Sequence, residues 1–280
     1  MEPIAITTAQ DARIADYVGL RDPDHRRRLE GDEFFVAEGV NVILRLLQSP
    51  YPLRSILLTP RRYERMADDL QSVACPIYVA EREVLASVAG FDLHRGAVAS
   101  AQRLPPPPLD DVLATSRTIA VLEGLNDSEN LGAIARSARG LGIDALVLDP
   151  ACHDPFYRRT VRVSMGEVLF LPIVRCGSWP ADLEHIAAAG FRLLALTPAA
   201  SAVSIHDVTR RADERVAVVL GAEGPGLSET VMRRSERIRI PLRDGVDSLN
   251  VGHAAAIAFH AVSRVPVAAI DAPSTTSTTA

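Results

Sequence analysis

The chain has 280 residues, 48 % hydrophobic and 23 % charged, with a net charge of −5; this leaves room for about two domains with real cores and excludes wholesale disorder, collagen-like repeats and a strongly basic nucleic-acid coat. Its three cysteines, Cys75, Cys152 and Cys176, form no C-x-x-C pair and no metal-ligand cluster, which argues against a disulfide framework or a zinc site and suits a reducing compartment. The opening M-E-P-I-A-I-T-T-A-Q-D lacks a secretory pattern, and no stretch approaches the ~20 apolar residues of a membrane helix, so the expected compartment is the cytoplasm, with no membrane partner.

In chain order, Phe34 to Ala37 reads as a strand and Val40 to Leu47 as a helix. Ser55 to Leu58 is a strand and Arg61 to Leu70 a helix. Ile77 to Val79 and Gly96 to Ala101 are further short strands. Residues 1–104 therefore read as a small α/β domain. Arg26-Arg27-Arg28 and Arg61-Arg62 are its basic spots, open to two readings: a solvated face or RNA contact. Pro105-Pro106-Pro107-Pro108 can continue neither a helix nor a central strand, so residues 105–114 read as a Pro-rich linker.

Alternation is stronger over residues 115–265. Thr118 to Leu122, Ala145 to Leu148, Val168 to Ile173, Arg192 to Leu196, Val216 to Leu220 and Arg237 to Ile240 read as buried strands. Helical stretches at Leu131 to Leu141, Pro155 to Val163, Ala181 to Ala189 and Ser228 to Arg234 lie between them, and Asn250 to Val262 closes the set. This predicts a parallel sheet with helices on both faces, whose ligands sit in loops beyond the carboxyl ends of the strands. Residues 266–280 read as a disordered Ser/Thr/Ala tail.

Three such loops carry the unusual residues. The first, L-N-D-S-E-N-L-G-A-I-A-R (Leu125 to Arg136), opens a helix that Asp127 or Ser128 can cap; six residues separate Asn130 from Arg136, close to two turns, so both can lie towards one side. The second, L-G-A-E-G-P-G-L-S (Leu220 to Ser228), sets Glu223 among three glycines that permit positive φ and close backbone approach. It is neither a P-loop nor a G-x-G-x-x-G fingerprint, which argues against a dinucleotide-dependent oxidoreductase. The third, I-P-L-R-D-G-V-D-S-L-N-V (Ile240 to Val251), runs through a glycine turn into the alanine-rich helix. Each loop alone is also what a capped helix or a tight turn leaves behind. Cys152-His153-Asp154 has the letters of a nucleophilic triad, but consecutive residues cannot easily build its relay, so a polar loop is expected there.

The order N-L-G-A-I-A-R, G-A-E-G-P-G-L-S, I-P-L-R-D-G-V-D-S-L-N-V resembles the three motifs of the SpoU/TrmH family, within the SPOUT class of RNA 2′-O-ribose methyltransferases, over Thr118 to Ser263. The resemblance implies a trefoil-knotted α/β parallel-sheet domain, S-adenosylmethionine as methyl donor, and a homodimer whose two chains build the site. V-A-E-G-V-N-V-I-L-R-L-L and H-R-G-A-V-A resemble the ribosomal-protein-like substrate-binding domain of part of the family, which implies RNA contact and tilts the substrate towards ribosomal over transfer RNA. The chain departs from many relatives at Ser128, where a proline is common, at Ala222, at Gly252-His253 and at Glu167.

By the same resemblance Arg136 acts on the ribose hydroxyl or its phosphate. A guanidinium is too weak an acid to serve readily as a literal base, so stabilisation of the developing alkoxide is the preferred role. Asn130 would position Arg136 or the phosphate, Glu223 would hold the site arginine or asparagine, and Ser248 and Asn250 would orient the nucleotide. Leu196, Thr197, Gly221, Ile240 and Leu249 would bind the donor, and Arg139 and Arg158-Arg159 would meet phosphates. A knotted RNA-binding factor that has lost turnover is the rival from another class. All 30 basic residues are arginine, which either genomic base composition or phosphate recognition would produce.

Overall fold

The segment Thr118–Glu123 reads T-I-A-V-L-E, and its first five residues are buried. A run apolar on both sides belongs in the middle of a parallel sheet, covered from above and below. The computed structural model describes residues 2–93 and 96–263, so the tail and part of H-R-G-A-V-A lie outside the described residues. It has two sheets. The first half contains β1 (Ile4–Ile6), α1 (Pro23–Glu30), β2 (Phe34–Glu38), α2 (Val40–Leu47), β3 (Leu53–Leu58), α3 (Pro60–Arg65), α4 (Ala67–Leu70), β4 (Ile77–Ala80), α5 (Arg82–Ala89) and β5 (Ala97–Gln102). Its strand order is β1-β4-β3-β5-β2.

The second half contains α6 (Leu109–Thr115), β6 (Thr118–Glu123), α7 (Ser128–Gly140), β7 (Ala145–Leu148), α8 (Arg158–Val163), β8 (Ile173–Arg175), α9 (Ala181–Ala188), β9 (Phe191–Leu196), β10 (Val203–Ser204), β11 (Arg215–Gly221), α10 (Glu229–Arg234), β12 (Glu236–Arg239) and α11 (Val251–Val262). Its seven strands, ordered β10-β12-β9-β11-β6-β7-β8, all pair in parallel. The expected parallel sheet is present. One face packs on α7 and α11, the other on α6, α9 and α10.

Several expectations change; Arg61 to Leu70, for one, is not a single helix, because α3 ends at Arg65 and α4 begins at Ala67. Val168 to Ile173 is not one strand: Glu167–Phe170 is a 3₁₀ turn and the strand begins at Ile173. Met165 and Gly166 have φ of 56° and 81°, which turns the chain sharply, and a short apolar run cannot distinguish a buried turn from a strand. The stretch expected as linker is helical from Leu109 onward, with Val112 and Leu113 buried. Arg26 is not a surface charge: it is 2 % exposed and donates to Glu30 at 2.7 Å and to the Val18 carbonyl at 3.0 Å.

The two halves share a core. Glu38, at the end of β2 and 4 % exposed, accepts from Arg158 and, at 3.3 Å, from Arg162, both on α8. Arg158 also donates to the Leu20 carbonyl at 3.1 Å. Arg45 reaches Glu167 at 2.9 Å and covers the Phe170 ring at 4.2 Å. Arg103 grips Asp154 through two bonds of 3.0 and 2.6 Å. In turn α8 seats α7, because a Cβ on Gly132 would stand 2.8 Å from Val163 Cβ and 2.9 Å from the Thr160 carbonyl.

Removing Arg158 leaves the buried Glu38 carboxylate only the longer Arg162 contact, at 3.3 Å, and an under-compensated buried charge is costly. Arg158→Ala is expected to lower stability by about 3 kcal/mol in urea unfolding. The Asp154 carboxyl is pushed up by desolvation, but the Arg103 guanidinium outweighs this and holds it below the ordinary value. A depressed acid contributes stability above its unfolded pKa, about 3.9, and loses it as pH falls through the folded value. Wild-type stability should therefore fall more steeply below about pH 4 than that of Asp154→Asn, which a denaturation series across pH checks.

Candidate active site

β12, β9, β11 and β6 are neighbours in the parallel sheet, so the loops after them emerge side by side at its carboxyl end. Asp127 caps α7, its side chain accepting from the Glu129 and Asn130 amides at 2.8 Å each. This fixes Asn130 in the first turn, 8 % exposed. After β11 the glycine loop folds back on itself. The Gly226 amide donates to the Ala222 carbonyl at 3.1 Å, and a Cβ on Gly221 would lie 2.4 Å from the Gly226 carbonyl carbon, so residue 221 must be glycine for this closure.

Asn250 joins these segments. Its Oδ1 caps α11, accepting from Gly252 N at 2.9 Å and His253 N at 3.4 Å. Its Nδ2 donates to Asn130 Oδ1 at 2.8 Å and to Glu223 Oε1 at 2.7 Å. Rotating the amide would set donors against the two backbone N–H groups and an oxygen against a carboxylate, so this orientation is the consistent one. Close approach of α11 to α7 follows from Gly252, where a Cβ would meet Ala133 Cβ at 3.1 Å.

Asn130, Glu223 and Asn250 are thus brought together; Arg136 and Ser248 are not. Six residues along α7 turn Arg136 about 120° from Asn130. Arg136 is exposed, with no hydrogen bond or ion pair among the described residues, so the expected shared side of the helix is corrected. Asn130 holds Asn250 rather than Arg136. Ser248 is exposed on the third loop.

Of the residues expected to bind the donor, Leu196 and Ile240 are half-buried against the main core, and Leu249 is 37 % exposed. Gly221 ends β11 beside Glu123. The Thr197 amide is already spent on the Ile238 carbonyl at 2.9 Å, which leaves Thr197 only its carbonyl and hydroxyl for a ligand. Arg158 is committed to Glu38, Arg159 pairs with Glu129, and Arg139 is exposed.

Cys152 does not form a catalytic relay. Its thiol donates to the Leu122 carbonyl at 3.2 Å, and burial pushes its pKa up to about 12. His153 Nδ1 faces the Asp154 carbonyl at 3.2 Å while the Asp154 carboxylate serves Arg103. A cleft of about 1680 Å³ opens between the two halves, lined by Arg27, Asn126, His153, Tyr157 and Arg175 among others.

Sequence reasoning missed Glu123. It accepts from Trp179 Nε1 at 2.8 Å, Ser228 N at 2.7 Å and Ser228 Oγ at 2.8 Å. The available signal was a carboxylate closing an apolar strand immediately before Gly124, whose φ is 66°.

The family model described as the SpoU rRNA methylase family matches residues 117–260, and that for RNA 2′-O ribose methyltransferase substrate binding matches residues 36–107. An uncharacterised tRNA/rRNA methyltransferase of Mycobacterium bovis is 46 % identical over 91 % of this chain and 89 % of its own length. The 23S rRNA (guanosine(2553)-2′-O)-methyltransferase of Bacillus subtilis is 25 % identical over 90 % of this chain and 96 % of its own. A solved AdoMet-bound rRNA methyltransferase from Sinorhizobium meliloti shares the fold, with a TM-score of 0.77 at 24 % identity over 92 % of this chain and 96 % of that one. The chain belongs to the SpoU rRNA methylase family, as an RNA methyltransferase with S-adenosylmethionine as its donor.

Proposed function

We propose that the chain transfers a methyl group to a ribose 2′-hydroxyl of structured ribosomal RNA, as a cytoplasmic homodimer in which the segment between β11 and α11 threads the trefoil knot of the family. Residues 1–104 serve as the RNA-binding domain and residues 115–265 as the catalytic domain. The observation that carries this reading is the Asn250 amide holding Asn130 and Glu223 together at the carboxyl end of the sheet.

The surroundings fit the donor. Leu196 and Ile240 offer apolar walls for its adenine, Gly221 offers backbone polar groups without a side chain in the way, and Glu223 offers a carboxylate. S-Adenosylmethionine supplies a methyl already activated on a sulfonium, so the protein must align atoms and help one proton leave. Asn130, Glu223 and Asn250 keep the three loops at fixed separation. Ser248, exposed on the third loop two residues before Asn250, orients the nucleotide.

Arg136 stabilises the developing alkoxide or its phosphate through its guanidinium donors. It points away from the cluster of its own chain, and a second chain facing α7 resolves that separation: each arginine completes the other chain's site. Exposed Leu249 and Ile257, 37 % and 41 % accessible, supply apolar surface for such a contact.

Arg136→Ala is expected to lower kcat by about 10²–10³ with an unchanged melting temperature, measured as label passing from methyl-labelled donor to RNA. Full activity would remove Arg136 from the mechanism. With ribosomal and transfer RNA offered separately, label is expected in ribosomal RNA; label in transfer RNA alone overturns the substrate assignment. Asn250→Ala removes a helix cap and both side-chain ties, so it should cost about 1 kcal/mol of stability or more together with donor affinity measured by calorimetry.

A further inference from the structure

Glu123 ends β6, and the reaction described above gives it no part. Its carboxylate joins three segments distant in sequence. Oε1 accepts from Trp179 Nε1 and Ser228 Oγ, both at 2.8 Å, and Oε2 accepts from Ser228 N at 2.7 Å. Trp179 stands in the loop after β8, and Ser228 closes the glycine loop and caps α10. Trp179 and Leu227 pack on the core beneath α9 and α10, the face of the sheet opposite α7 and α11. The glycine loop is therefore held from both faces: at Glu223 through Asn250, and at Ser228 through Glu123. Gly224 and Gly226 between these ties have φ of 89° and 69°, so their backbone freedom is what the two ties remove.

We propose that Glu123 is a positioning residue for methyl transfer: it fixes the glycine loop, and through the loop the place of Glu223. The inference rests on the reading that this loop borders the donor. Glu123→Gln separates the contacts. The amide oxygen can still accept from Trp179 and Ser228 Oγ, but the amide NH₂ then meets the Ser228 N–H donor against donor.

Hydrogen exchange over residues 222–228 of Glu123→Gln, measured without donor or RNA, is expected to be about tenfold faster than wild type, with exchange in α7 and α11 unchanged. A merely global destabilisation would speed all three. In the same variant kcat should fall about tenfold, the loss of one hydrogen bond to a charged group, with the KM for RNA within about twofold. Wild-type exchange in the loop, or wild-type kcat, overturns the proposal. Should Glu123→Gln not fold, Ser228→Ala removes the hydroxyl bond to Glu123 together with the α10 cap and keeps the backbone bond; a loss of about threefold in kcat is expected, and no loss overturns the proposal. Failure of wild-type protein to bind S-adenosylmethionine in calorimetry strikes the functional reading instead, while loop exchange still decides whether Glu123 holds the loop.

Discussion

One amide side chain decides how the catalytic half closes. Asn250 caps α11 with its oxygen and ties Asn130 and Glu223 with its nitrogen. The cap and the site are the same group, so α11 cannot take its helical start without drawing the other two loops into place. Burial of Ala255, Ala258, Phe259 and Val262 drives α11 onto the sheet. Apolar burial is non-directional, and a helix lined with alanines could slide. The Asn250 bonds, directional and partly charge-assisted, supply the register that the apolar face lacks.

The parts of this arrangement differ in how visible they are in the sequence. Asn130, Glu223 and Asn250 stand out because each follows a buried strand in a polar, turn-rich loop, and their order resembles a family. Which of them touch is a matter of three dimensions. Spacing along α7 gives an angle, and six residues place Arg136 about 120° from Asn130 rather than beside it. Glu38 and Arg158 are 120 residues apart, and nothing local to β2 or α8 announces the pair. Four prolines mask the start of α6, since they forbid a helix where they stand but not one residue later. At Val168 to Ile173 the apolar run is real, yet burial alone does not choose between a 3₁₀ turn and a strand.

A basic complement made of arginine alone gains physical content from the same contacts. Arg175 donates to the carbonyls of Asp149, Pro150, Cys152 and His153, a fan that a planar five-donor group can span and a lysine ammonium cannot. Arg103 binds Asp154 through two nitrogens, and Arg192 binds Glu236 through two. Much of the arginine is thus engaged inside the protein. Arg136 and Arg139, one turn apart and exposed on α7 without partners among the described residues, differ from these in having their donors free.

The ion pairs between the halves bear on how an RNA could be read. Turning the first sheet against the second would break Glu38 from Arg158, Arg45 from Glu167 and Arg103 from Asp154 together, and would expose the shared core. Three such contacts breaking at once cost far more than any one of them, because each leaves a charge without its partner. The separation between the substrate-binding half and the Asn250 cluster is therefore set by the protein before RNA arrives, with α8 as the spacer and Gly132 fixing its distance from α7. Asn126, in the first loop, lines the cleft between the halves, whereas Asn130, Glu223 and Asn250 do not, so the cleft and the Asn250 cluster meet only at the start of the first loop.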